Sequence, residues 1–92
     1  MTPAGGGDHV VVLHGERFIT LAGVAEIYTL QRGWLDEVYD YGLLGEGERV
    51  GGEIAIAAAL LDRVALIRRL HERQGVNLPG IAIILDLLED VP

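Results

Sequence analysis

The sequence predicts a mostly α-helical domain: two short helices across a tight turn, then a C-terminal helical hairpin, all behind a small N-terminal β element. Three observations predict it. Apolar residues recur at helical spacing in "TLAGVAEIY" and again in "GWLDEVYDYGLL", with only the turn "TLQRG" between them. A long amphipathic run ends at Gln74, just before a Gly-Val-Asn string that stops one helix and caps the next. Ninety-two residues, 50% hydrophobic, make one domain with a small core.

Residues 1–8, "MTPAGGGD", read as a flexible leader, and 9–92 as a single domain. "HVVVLHGERFIT" gives two short β-runs around a turn at His14-Gly15-Glu16, a β element at about 10–19. A sheet of four or more strands would overturn the mostly-α reading. Thr20 is the N-cap of the first helix, whose Leu21, Val24, Ala25 and Tyr28 share one side. The turn "TLQRG" lacks the glycine often found inside such turns. In the second helix Leu35, Val38 and Tyr39 face inward, and Gly42 stops it as a left-handed C-cap with Leu43 folding back. The helix-turn-helix thus spans about 20–44.

"GEGERVGGE" is polar and Gly-rich, a loop or a short wing. The long helix runs from about 55 to 74, with Leu60, Val64 and Ile67 on one stripe and Asp62, Arg69 and Arg73 opposite. Gly75 ends it in the left-handed region, Val76 supplies the accompanying apolar contact, Asn77 caps the last helix and Pro79 sits in its first turn. That helix, near 78–90, is apolar nearly all round, more than one packing face requires. A homodimer built on Leu66, Ile81, Ile84, Leu85 and Leu88 is therefore expected.

Composition excludes several function classes. No run reaches the ~18–20 apolar residues that span a bilayer, and "VVVL" is too short for a signal h-region, so no membrane role is expected. The absence of cysteine removes disulfides and thiolate chemistry and fits a cytoplasmic protein. No serine is present either, which leaves only threonine, lone acids or histidines as reactive groups. His9, His14 and His71 lie on separate elements at no metal-ligand spacing, so no metal and no cofactor are expected. Asp86, Glu89 and Asp90 read as a solvated carboxylate edge. The glycine-rich stretches lack the strand and lysine of a phosphate loop. The chain is not expected to be an enzyme. Its formal charge is −7 and every base is an arginine, so a duplex would repel it on average.

The second helix poses the functional question. It has the outline of a recognition helix, yet after Arg32 its charges are Asp36, Glu37 and Asp40. An ordinary solvated helix face is the plain alternative. Trp34, the only tryptophan, reads equally as core or as a partly exposed anchor, and Tyr41 follows the acids. Arg63, Arg68, Arg69 and Arg73 form the only basic cluster, diluted by Asp62 and Glu72.

The string "RRLHERQGVNLPGIAIILDLLED", a long helix, Gly-hydrophobic, a capped turn and an apolar helix, resembles the MerR-like winged helix-turn-helix group. The form N-x-P-G-I-A-x-x-L-x-L-x-x-D, here Asn77, Pro79, Gly80, Ile81, Ala82, Leu85, Leu87 and Asp90, is similar to the CbpM chaperone-modulator branch. The resemblance runs from about Ile19 to Val91. In the DNA-binding regulators of the group the position matching Asp36 is typically an arginine and that matching Glu37 a tyrosine, both on phosphate. Both are carboxylates here, which argues against DNA as the partner.

What the CbpM resemblance implies is binding to the J-domain of a DnaJ/CbpA-type co-chaperone, and through it an effect on DnaK. J-domains offer a basic helix, and carboxylates that steer the encounter beside aromatic anchors suit such a surface. The expected J-domain contacts are Trp34, Asp36, Glu37, Asp40 and Tyr41. The rival expectation is a small MerR-like DNA-binding regulator.

Overall fold

Two antiparallel hairpins and four α-helices make up the computed structural model, which describes residues 9–89. The leader expected at 1–8, and Asp90 and Val91 of the C-terminal string, lie outside the described residues. The chain runs β1 (Val10–Leu13), β2 (Glu16–Thr20), α1 (Leu21–Tyr28), α2 (Arg32–Asp40), β3 (Glu48–Val50), β4 (Glu53–Ala57), a 3₁₀ turn (Ala58–Leu60), α3 (Leu61–Gln74) and α4 (Leu78–Glu89).

The helical part is the one the sequence implies, and its boundaries are set by local chemistry. Thr20 caps α1 by accepting a hydrogen bond from the Gly23 N–H at 3.1 Å. Gly42 is left-handed at φ +88°, and Leu43 folds back into the core. Gly75 closes α3 at φ 66°, and the Val76 N–H then reaches the Leu70 carbonyl at 3.1 Å. Asn77 caps α4 by accepting from the Gly80 N–H at 3.0 Å.

The β part is larger than expected. Four strands form one antiparallel sheet in the order β1-β2-β4-β3, beyond the limit that the sequence set for it. Yet the four α-helices hold more of the described residues than the strands do, so the mostly-α class stands and the strand limit was set too low. The long helix begins at Leu61 rather than near 55, because Glu53–Ala57 is a strand paired with both β2 and β3. Its Ala55 and Ile56 are fully buried neighbours, which means β4 is covered on both faces. "GEGERVGGE" takes the wing alternative: β3 and β4 meet across Gly51-Gly52, both at positive φ, the pair of angles a two-residue hairpin turn requires.

One core joins the four helices to the two central strands, β2 and β4. Leu21 and Val24 of α1, Leu35 and Val38 of α2, Ile56 of β4, Val64 and Ile67 of α3, and Ile81 and Leu85 of α4 are buried in a single cluster. Burying a side chain of this kind stabilises by about 1.5–3 kcal/mol relative to leaving it exposed, so none of these elements could be peeled away cheaply. Tyr39, expected to face inward, is half-buried, and its hydroxyl donates to the Glu46 carbonyl.

The core also corrects the expected dimer surface. Ile81 and Leu85, at 0% and 6% exposure, are inside this chain's own core and are not available to a second copy. Leu66 is half-buried and packs against the same cluster. Ile84 is half-buried, and the large apolar residues of α4 left in solvent are Ile83, Leu87 and Leu88.

The turn of the helix-turn-helix solves its missing glycine by strain. Thr29 sits at φ 54°, ψ 52°, its N–H directed at the Ala25 and Glu26 carbonyls. A left-handed conformation costs a non-glycine residue about 1–2 kcal/mol, part of which glycine would return through its greater freedom in the unfolded chain. Thr29→Gly should therefore raise stability by roughly 0.5–1 kcal/mol in urea unfolding; a lowered midpoint would refute the strain assignment. Gly47→Ala should do the opposite. Gly47 has φ +66°, and an added Cβ would meet the Ala55 carbonyl oxygen at 2.5 Å. A loss of about 1 kcal/mol or more is expected in the same experiment.

Candidate protein-binding face

The charged residues of α2 fall on two rows rather than one face. At 100° per residue, Arg32, Asp36 and Asp40 line up along one flank, and Trp34, Glu37 and Tyr41 along another. The turn at Thr29 and the burial of Leu35 and Val38, each 1% exposed, fix which way both rows point.

Arg32 dominates the first row. Its Nε donates to Asp36 Oδ1 at 2.9 Å, and its Nη2 donates to Glu53 Oε1 of β4 at 2.8 Å. The hydrogen bond that it donates to Glu53, then that to Asp36, raises the guanidinium further above its ordinary range, while partial burial pulls the other way. Its charge is therefore constant at any working pH, and it clamps α2 to the sheet. Asp36 is spent on that clamp. Asp40 and Glu37 are exposed and form no ion pair among the described residues, so they carry the uncompensated charge of the helix.

The second row begins in a cleft. Trp34 is half-buried, and its indole stacks on the His71 ring of α3 with centroids 4.6 Å apart and planes at 27°. Both alternatives for Trp34 are partly realised: it packs against the core cluster and still borders solvent. Together with Thr29, Leu30, Gln31 and Glu72 the stacked pair lines a cleft of about 470 Å³ between the helix-turn-helix and α3. Tyr41, at the far end of the row, is 48% exposed. Of the five expected contacts, Trp34, Glu37 and Tyr41 share a flank, Asp40 lies on the neighbouring flank, and Asp36 is engaged elsewhere.

Sequence reasoning missed His71, Glu53 and the cleft. Nothing local signals them: residues 34 and 71 are far apart in sequence and meet only in the finished fold. The i, i+4 spacing of Arg32 and Asp36, by contrast, was readable in advance.

The basic cluster is smaller than the sequence suggests. Arg63 turns away, pairing with Glu89 and donating to the Leu43 carbonyl at 3.2 Å. Arg68 pairs with Glu72 at 3.2 Å. Only Arg69 and Arg73 remain exposed without an acid partner among the described residues, beside a shallow depression over Ala65. No group of three or more His, Cys, Asp or Glu able to hold a metal occurs among the described residues. No described helix is long and apolar enough to cross a membrane.

Comparison with known families gives a match over residues 19–92 to the model described as MerR HTH family regulatory protein. Neither the curated proteins nor the solved structures yield a match.

The clamp is testable on its own. Arg32 is 42% and Glu53 30% exposed, so the pair belongs to the weak, screened class. A double-mutant cycle of Arg32→Gln and Glu53→Gln should give a coupling of roughly 0.5–1 kcal/mol at low salt, falling toward zero at about 1 M salt. No coupling at low salt would show that the two side chains do not hold α2 to the sheet.

Proposed function

Because the chain belongs to the MerR HTH family of regulatory proteins, we propose that it regulates by binding protein rather than by chemistry of its own, with α2 reading a basic surface. The proposed partner is the J-domain of a DnaJ/CbpA-type co-chaperone, as the resemblance to CbpM implies, with DnaK affected indirectly and the encounter taking place in the cytoplasm. The observation that carries the proposal is the state of α2. Where a DNA-reading helix presents cations to phosphate, this one presents Glu37 and Asp40 in solvent without counterions, between Trp34 and Tyr41. Two free carboxylates raise the encounter rate with a basic helix and set its register, while the aromatic pair supplies contact area.

The rival, a DNA-binding regulator, has one specific observation in its favour. Arg69 and Arg73 form an exposed basic edge on α3 without acid partners among the described residues, and Arg17 of β2 and Arg49 of β3 are exposed and unpaired as well. Two arginines neutralise few phosphates, and a net charge of −7 opposes the approach. A homodimer is proposed alongside, resting on α4. Ile83, Leu87 and Leu88 are 62%, 62% and 54% exposed, a row of large apolar groups that a second copy would cover with Ile84 at its edge.

Reversing Glu37 and Asp40 to lysine removes two attractive charges and adds two repulsive ones. Asp36 is left alone because Arg32 already neutralises it. The double variant should bind the J-domain roughly tenfold more weakly at low salt, mainly through slower association, with an unchanged melting temperature. Equal affinity of variant and parent across a salt series would exclude α2 as the reading surface. A salt-titrated DNA-binding assay on the parent decides the rival directly. For the dimer, Leu88→Glu should lower the mass in light scattering to that of a monomer with helical content retained. A parent that is already monomeric would end the dimer proposal.

A further inference from the structure

A cleft lies between the helix-turn-helix and α3. It is open to solvent, about 470 Å³ in volume, and it combines a half-buried indole, the apolar wall of Leu30, the amide of Gln31 and the carboxylate of Glu72. An indole beside a carboxylate is the chemistry that recognises a delocalised cation. His71, which also lines the cleft, covers one ring face in the free protein. An incoming guanidinium therefore takes the place of the imidazole on the indole, while the carboxylate takes the N–H donors of its planar fork. A pocket of this size is larger than a water site and accepts one extended side chain.

We infer that this cleft receives a single arginine side chain of the basic partner helix, an inference that rests on the basic-partner reading above and names its anchor point. Charge is arranged along α2 to match. Trp34 opens the row in the cleft, Glu37 lies one turn further on the same flank, and Tyr41 follows one turn beyond that. A basic helix laid along this flank therefore places one cation over the indole and the next beside Glu37, one helical turn apart on both chains. Glu72 is held by Arg68 at 3.2 Å in the free protein, so an incoming guanidinium competes with Arg68 for that carboxylate. This makes Arg68 a brake on the site and gives the inference a signature that mere packing lacks.

Trp34 is the only tryptophan, so its emission reports on the cleft directly. The test titrates N-acetyl-arginine amide into the full chain, with N-acetyl-citrulline amide as the neutral isostere. Arginine should shift the emission to saturation, and citrulline should bind at least about tenfold more weakly. Glu72→Gln should weaken the arginine response roughly threefold or more, and Arg68→Gln should strengthen it, with circular dichroism unchanged in both. Equal responses to arginine and citrulline overturn the inference, as does a linear response that never saturates, or indifference to Glu72→Gln. Calorimetry with the intact J-domain separates this from the proposal it rests on. If the J-domain binds and the arginine amide does not, the cleft inference alone fails. If the arginine amide binds and the J-domain does not, the partner is wrong and the cleft stands.

Discussion

The four helices and the two central strands, β2 and β4, are held by the same small core, and among the described residues there is no second one to fall back on. Leu35, Ile56, Ile67 and Ile81 come from α2, β4, α3 and α4, and each is at most 1% exposed. In a chain of 92 residues the surface is large relative to the volume it encloses. Each helix can therefore spend only one stripe on the interior. What remains outward is fixed by that choice: the core contact of Leu35 and Val38 decides that Trp34 borders the α3 cleft and that Asp40 faces solvent. The site is the complement of the core.

How much of this was legible follows from the range of each interaction. Caps and stops act over three to six residues, so Thr20, Gly42, Gly75 and Asn77 declared themselves in the sequence. The start of the long helix did not. In Ile54-Ala55-Ile56-Ala57 every residue is apolar, so a period of 2 and a period of 3.6 fit equally well. What decides for a strand is the pairing of Ile56 with Ile19 and of Ile54 with Arg49, contacts the local pattern does not contain. The same blindness affects α4. A helix apolar on all sides carries no periodic signal for which side is inward. The selection of Ile81 and Leu85 over Ile83 and Leu87 is made by α3 and the shared core cluster. At the site, Arg32–Asp36 was readable at i, i+4, whereas Arg32–Glu53 and Trp34–His71 are separated in sequence by 21 and 37 residues and depend on the finished fold.

Charge on α2 has been divided between folding and surface. The single cation of the helix is consumed within the molecule, bridging Asp36 to Glu53 and so fixing α2 against β4. This leaves the outward face more acidic than the sequence count of the helix alone suggests, because Arg32 does not screen Glu37 or Asp40. A duplex would meet uncompensated carboxylates where the fold offers its second helix, and the field of the whole chain has the same sign. A basic protein helix meets a surface whose local and global fields agree.

Thr29 links the strained turn to the cleft. Glycine is the residue that this left-handed position favours, and the chain carries a β-branched residue there instead. Strain of this kind persists only where the surroundings over-determine the backbone, and here they do: the two carbonyls at the end of α1 receive the Thr29 N–H, and the buried Leu35 anchors the helix that follows. A glycine would relax the turn and also remove a wall, since the Thr29 side chain lines the cleft beside Trp34. It would loosen the angle at which α2 leaves α1, and with it the placement of the indole against His71. Stability and the shape of the cleft thus pull in opposite directions at one residue, and threonine is the choice that favours shape.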